Sequence, residues 1–155
     1  MANYQKLQVS TALNIYKSDN ANIPFANLVV AGISDAAALN ELEDNTVDFI
    51  ALNVQVGDVV YNTTTGTAAT VTGVTNTILS LNANLFSSSG NYIVYAQNTK
   101  EACVLYIGTG GNLRVLTASG QDVLFTGLLG GTFLPVQVLK VFSTNTTASN
   151  LVALW

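Results

Sequence analysis

Histidine is absent from this chain of 155 residues. Its absence removes the usual base of a nucleophilic triad, the commonest zinc ligand and the commonest general acid. What remains for chemistry is a group of carboxylates, one thiol and one glycine-rich stretch. Glu41, Glu43, Asp44 and Asp48 lie close together in sequence. Paired carboxylates can hydrolyse glycosides and clustered oxygens can hold calcium, but nothing here follows the EF-hand spacing. A solvated helix face accounts for the four more simply. Cys103 is the only cysteine, so no intrachain disulfide forms. Within Ala102-Cys103-Val104-Leu105-Tyr106 it reads as a small core hydrophobe with no imidazole to activate it. Gly108-Thr109-Gly110-Gly111 misses the dinucleotide fingerprint and precedes a strand pattern, so it reads as a tight turn. Asn62-Thr63-Thr64 and Asn145-Thr146-Thr147 match the glycosylation pattern and read as turn-forming polar loops. No catalytic, cofactor-binding or metal-ligating residue is assigned.

Composition narrows the classes further. Hydrophobic residues make up 49% of the chain and charged residues only 9%, with a formal net charge of −4. An average globular protein carries about 25% charged residues, so the polar surface here must come from Thr, Asn, Ser and Gly. Such a surface suits a chain packed in an assembly. The basic residues are Lys6, Lys17, Lys100, Arg114 and Lys140, none adjacent to another. No basic stripe exists to neutralise phosphates, which argues against nucleic acid as a partner. No apolar run approaches the ~20 residues of a membrane-crossing helix. The opening residues lack the layout of a secretory signal, so the expectation is a chain made and folded in a cytoplasm.

The elements that must carry these residues are mostly strands. The segment 33–47 is predicted as one short helix, with Ser34 or Asp35 as N-cap and Leu39 and Leu42 three apart on one face, ending at Asn45. From Asp48 onward, short apolar or alternating runs separated by Gly, Ser and Asn predict strands. These runs centre on Val59-Val60-Tyr61, Ala69–Thr72, Thr77–Leu81, Tyr92–Tyr95, Val104–Ile107, Leu113–Thr117, Val123–Phe125, Val136–Phe142 and Leu151–Trp155. Mainly-β architecture follows.

Residues 104–155 resemble the module of phage head-spike base proteins, found also in phage-like gene transfer agents. The resemblance is carried by Leu105-Tyr106-Ile107-Gly108-Thr109-Gly110-Gly111-Asn112-Leu113-Arg114-Val115, by Phe133–Val138 and by Thr144–Trp155. A Ser-Asp-plus-Pro stretch that precedes this module in the family is similar to Lys17–Pro24 here, some eighty residues upstream. Between them, Val54–Tyr95 resembles a small β-barrel module of cyanophage virion proteins, through Val56–Asn62, Ala69–Thr72 and Gly90–Tyr95. The resemblance implies a spike-base-like, sandwich-like β lobe built from 1–26 plus 98–155, with the short helix and small barrel inserted as 27–97. It implies a virion structural protein on the capsid surface, a decoration, cement or head-spike base protein that binds the major capsid protein.

A neck, tail or baseplate position is the alternative, and a carbohydrate-binding module is the alternative of another class. Two lobes of ~70–80 residues each gain only a few kcal/mol from their own cores, so self-association, as a homotrimer, is expected. Alternation along the C-terminal strand puts apolar side chains on both faces. Leu151, Val152, Leu154 and Trp155 are therefore the expected oligomer or capsid contacts.

Overall fold

The computed structural model describes residues 9–98 and 101–155; Lys6 and Lys100 lie outside them. The strands are β1 (Ala12–Asn14), β2 (Leu28–Ile33), β3 (Glu41–Glu43), β4 (Val59–Asn62), β5 (Thr67–Val74), β6 (Ile78–Leu81) and β7 (Asn91–Tyr95), followed by β8 (Cys103–Thr109), β9 (Gly111–Thr117), β10 (Asp122–Leu128), β11 (Thr132–Val141) and β12 (Ser149–Leu154). They form two six-stranded antiparallel sheets, in the orders β1-β12-β8-β11-β9-β10 and β2-β7-β4-β5-β6-β3.

In the first sheet alternation is plain. Cys103, Leu105 and Ile107 on β8 and Leu113, Val115 and Thr117 on β9 turn inward, with Val104, Tyr106, Arg114 and Leu116 between them. β11 is the hinge of this sheet. Its residues Thr132, Phe133 and Leu134 pair with β8, whereas Lys140 and Val141 pair with β9, and the register shifts between Leu134 and Val138. Pro135 sits within that shift, where a residue without an N–H breaks no regular ladder. The bent sheet folds over one core of Leu105, Ile107, Leu113, Val115, Val138, Leu151 and Ala153, closed by Ile15, Ile23 and Ala148 from loops.

The second sheet uses the same device. Thr67–Thr70 of β5 pair with β4, and Val71–Val74 pair with β6 across a register shift. Its core gathers Leu42, Phe49, Val60, Leu79, Phe86, Tyr92 and Val94. Two expectations are corrected here. The sheet is open rather than a closed barrel: β2 and β3 are its edges. Beyond the end of β2, the Asp35 N–H donates to the Glu43 carbonyl at 2.8 Å and Asp35 Oδ2 accepts from the Asn45 N–H at 2.6 Å, but no ladder joins β2 to β3.

The helix over 33–47 does not form, and among the described residues there is no helix at all. Ile33 ends β2, Asn40 takes a left-handed conformation (φ 56°) and Glu41–Glu43 pair with Ile78–Ser80. Leu42 is fully buried while Leu39 is 77% exposed, so the two do not share a face. A helix of one to three turns is marginal alone, and with one apolar side chain to bury it loses to a strand paired with β6.

The two sheets meet on the segment 15–26. Ala21, Val59, Tyr61 and Ala68 form a separate cluster, flanked by Tyr16 and Tyr95. The rings of Tyr16 and Tyr95 lie 4.9 and 5.4 Å from that of Tyr61. Ser18 Oγ donates to the Ala68 carbonyl at 2.7 Å, and the Asn20 carbonyl accepts from Thr70 Oγ1 and Asn82 Nδ2. The Tyr61 hydroxyl is buried with no hydrogen-bond partner among the described residues. Burial pushes its pKa up, so the phenol stays neutral.

Candidate functional site

The acidic residues that stand together in sequence are dispersed by the fold. Glu41 and Glu43 flank buried Leu42 and point away from the core. Asp48 closes a turn, accepting from the Ala51 N–H at 2.9 Å and from Asn76 Nδ2 at 2.8 Å. Asp44 turns inward and is 1% exposed. It accepts from the Tyr92 hydroxyl at 2.7 Å and from the Thr46 N–H and Oγ1. Burial pushes its pKa up, but the hydrogen bonds from Thr46 and Tyr92 outweigh it and hold the carboxyl below its ordinary value. Among the described residues no group of three or more His, Cys, Asp and Glu converges as a metal site would require.

The other candidates take structural places. Cys103 is buried on β8, its Sγ 3.5 Å from the Val138 carbonyl, and burial pushes its pKa up to about 12. Asn62 is buried, donating to the Leu85 carbonyl and accepting from the Thr64 and Thr65 N–H groups; it is the pivot of its turn. Asn145 occupies a left-handed turn position (φ 67°).

Gly110 joins β8 to β9, which lie on either side of β11, so it marks the corner of the bent sheet rather than a hairpin. A Cβ there would collide with the Leu128 carbonyl and come within 2.8 Å of the Gly130 nitrogen. Arg114 and Asp122 form the ion pair of the β9–β10 hairpin, at 2.6 Å. Among the described residues no helix is long and apolar enough to cross a membrane.

The C-terminal strand is an interior strand, with β1 on one side and β8 on the other. Leu151 and Ala153 face the core and are buried; Val152 and Leu154 are half-buried on the opposite, outward face. Trp155 packs at the edge of the core, 6.0 Å from the Phe25 ring, and its Nε1 donates to the Glu101 carbonyl at 3.3 Å. Further along the same sheet, Leu124, Leu129 and Phe133 are 46%, 74% and 62% exposed. These three were not singled out by sequence. Leu124 alternates with inward-facing Val123 and Phe125, a signal that was present; Leu129 and Phe133 sit where the β10–β11 connection disrupts alternation.

The fold thus defines a two-sheet, all-β protein with exposed apolar side chains on and beside its first sheet. No protein-family model, no curated protein and no solved structure matches the chain.

Proposed function

We propose that this is a virion structural protein of a tailed phage, carried on the capsid surface as a decoration, cement or head-spike base protein. In this reading it associates as a homotrimer and binds the major capsid protein, stabilising the head. The observation that carries the reading is the outward apolar face of the first sheet. Leu124, Leu129 and Phe133 stand exposed there, on a chain in which only 9% of residues are charged. Single exposed apolar side chains are ordinary, but several on and beside one sheet of a charge-poor chain suit burial against a neighbour. Leu154 and Trp155, with Val152 beside them, extend the contact along β12, and Leu151 supports it from the core.

Two measurements test the proposal. Sedimentation at micromolar concentration is expected to give a trimer, and a map of particles carrying the protein is expected to place it on the head shell. A monomer that leaves no density on the head overturns it. Density at the neck, tail or baseplate instead moves the assignment there.

A further inference from the structure

A groove opens on the outward face of the first sheet, over the Ser149–Val152 end of β12 and away from Leu154 and Trp155. It encloses about 570 Å³, within the range of small-ligand sites. Its lining includes Val152, Gly108, Tyr16 and Tyr106, with polar groups from Asn14, Ser149 and Asn150.

The register places these residues without any local signal in sequence. Asn14 pairs with Val152, and Val152 pairs with Tyr106, so the three stand side by side across β1, β12 and β8. Tyr16 continues the chain beyond β1 and also lines the groove. Gly66, from the β4–β5 turn of the other sheet, approaches its ring. A Cβ on Gly66 would sit 3.9 Å from the Tyr16 ring, and its φ of +71° disfavours any side chain there. Both lobes therefore contribute to the groove.

The lining selects a chemical class. Each ring is backed by another: Tyr16 by Tyr61 at 4.9 Å and Tyr106 by Phe133 at 5.4 Å between centroids. Buried Tyr61 holds the Tyr16 ring in place before any ligand arrives, which spares ordering entropy on binding. Lys17 is the one charged residue of the lining. Its ammonium donates to the Thr146 and Ala148 carbonyls, both at 3.1 Å, and so is spent on the fold.

No carboxylate lines the groove to attract a cation, and no uncommitted cation awaits an anion. Asn150 donates through Nδ2 to Thr109 Oγ1 at 2.9 Å, which fixes its amide and leaves the carbonyl oxygen to accept. Asn14 makes no side-chain hydrogen bond among the described residues, so its amide offers both donor and acceptor. Apolar ring faces beside neutral groups that both donate and accept match a ligand with C–H faces and hydroxyl edges.

We propose that this groove binds a neutral oligosaccharide, with a sugar ring against Tyr106 and hydroxyls on Asn14 and Asn150. The groove borders the proposed capsid contact, sharing Val152 with it, whereas Leu124 lies outside its lining.

Saturation-transfer NMR on the full-length protein with maltotriose, cellotriose and chitotriose tests it. At least one trisaccharide is expected to receive saturation. Tyr106→Ala is expected to weaken that binding about tenfold or more, and Asn14→Ala about fivefold, while Leu124→Ser leaves it unchanged. Asn14 is exposed on an edge strand, so its variant remains decisive if Tyr106→Ala loses the fold. No transfer to any of the three sugars, or transfer equally strong in the Asn14→Ala variant, overturns the proposal.

Discussion

Replacing Tyr92 with phenylalanine removes one oxygen and leaves the ring, which is fully buried and meets Phe49 edge-on at 6.3 Å. No cavity forms, so the change isolates the 2.7 Å bond to Asp44. Asp44 keeps its two bonds from Thr46 but loses the donor that faces it across the core. A hydrogen bond to a charged group contributes about 1.5–3 kcal/mol, and a loss of about 2 kcal/mol at pH 7 is expected. For a chain of this size that corresponds to about 4–8 °C in Tm.

The pH dependence carries the sharper test. Asp44 is held below its ordinary pKa in the folded protein, so its stabilising contribution is complete above the ordinary carboxylate value. It is lost as pH falls through the folded value. At a pH below both, the carboxyl is neutral and the Tyr92 bond is worth about 1 kcal/mol. The penalty for Tyr92→Phe should therefore fall by about half in acid. Asp122, held low by its hydrogen bonds from Arg114, behaves alike in both proteins and cancels from the difference. Urea melts of both proteins at pH 7 and through an acid series taken down until the Tyr92→Phe penalty stops changing measure the effect. A penalty below about 0.5 kcal/mol at pH 7, or one unchanged in acid, refutes the charged buried pair.

Gly110→Ala should cost about 1–3 kcal/mol or more, because the atoms its Cβ would meet are the backbone of Leu128 and Gly130; a urea midpoint unchanged from wild type counts against the close corner. Deleting residues 151–155 removes most of the strand that joins β1 to β8, and should abolish the cooperative melt of the first sheet; a full-amplitude transition at the wild-type temperature contradicts this. Cys103, buried with its pKa pushed up to about 12, should resist a thiol reagent at pH 8 in the folded protein and react once urea unfolds it; rapid labelling of the native protein would show an open core.

Strands whose one face is buried were legible in the sequence. Leu113, Val115 and Thr117 alternate with Arg114 and Leu116, and the structure keeps that alternation. β4 was legible for a different reason: all four of its residues are buried, as a central strand covered on both faces requires. β3 was not legible, because Glu41-Leu42-Glu43 has little strand propensity and is held by β6, more than thirty residues away. The left-handed turn at Asn40 is decided by that pairing. The helical reading saw Leu39 and Leu42 as a pair because spacing of three is a local signal, whereas the partner of Leu42 is distant. The groove over β12 was hidden for the same reason. Tyr16, Tyr106 and Asn150 are distant in sequence, and only the β1–β12–β8 pairing brings them to one place.

The first sheet takes β1 from before the other lobe and five strands from after it. Lys17 reaches a carbonyl 131 residues further along the chain. During synthesis, β2 to β7 emerge as a complete set and can collapse while the first sheet is still one short strand without partners. That sheet then waits for β12, the strand β1 pairs with. Closure of such separated segments is slow compared with local pairing, and until β12 arrives the edges of β1 and β8 that it covers stay unpaired. The order of emergence therefore lets the sheet of β2 to β7 pair before the first sheet can, and in the folded protein its face around Val59, Tyr61 and Ala68 packs against Ala21 and Tyr16 of the segment 15–26.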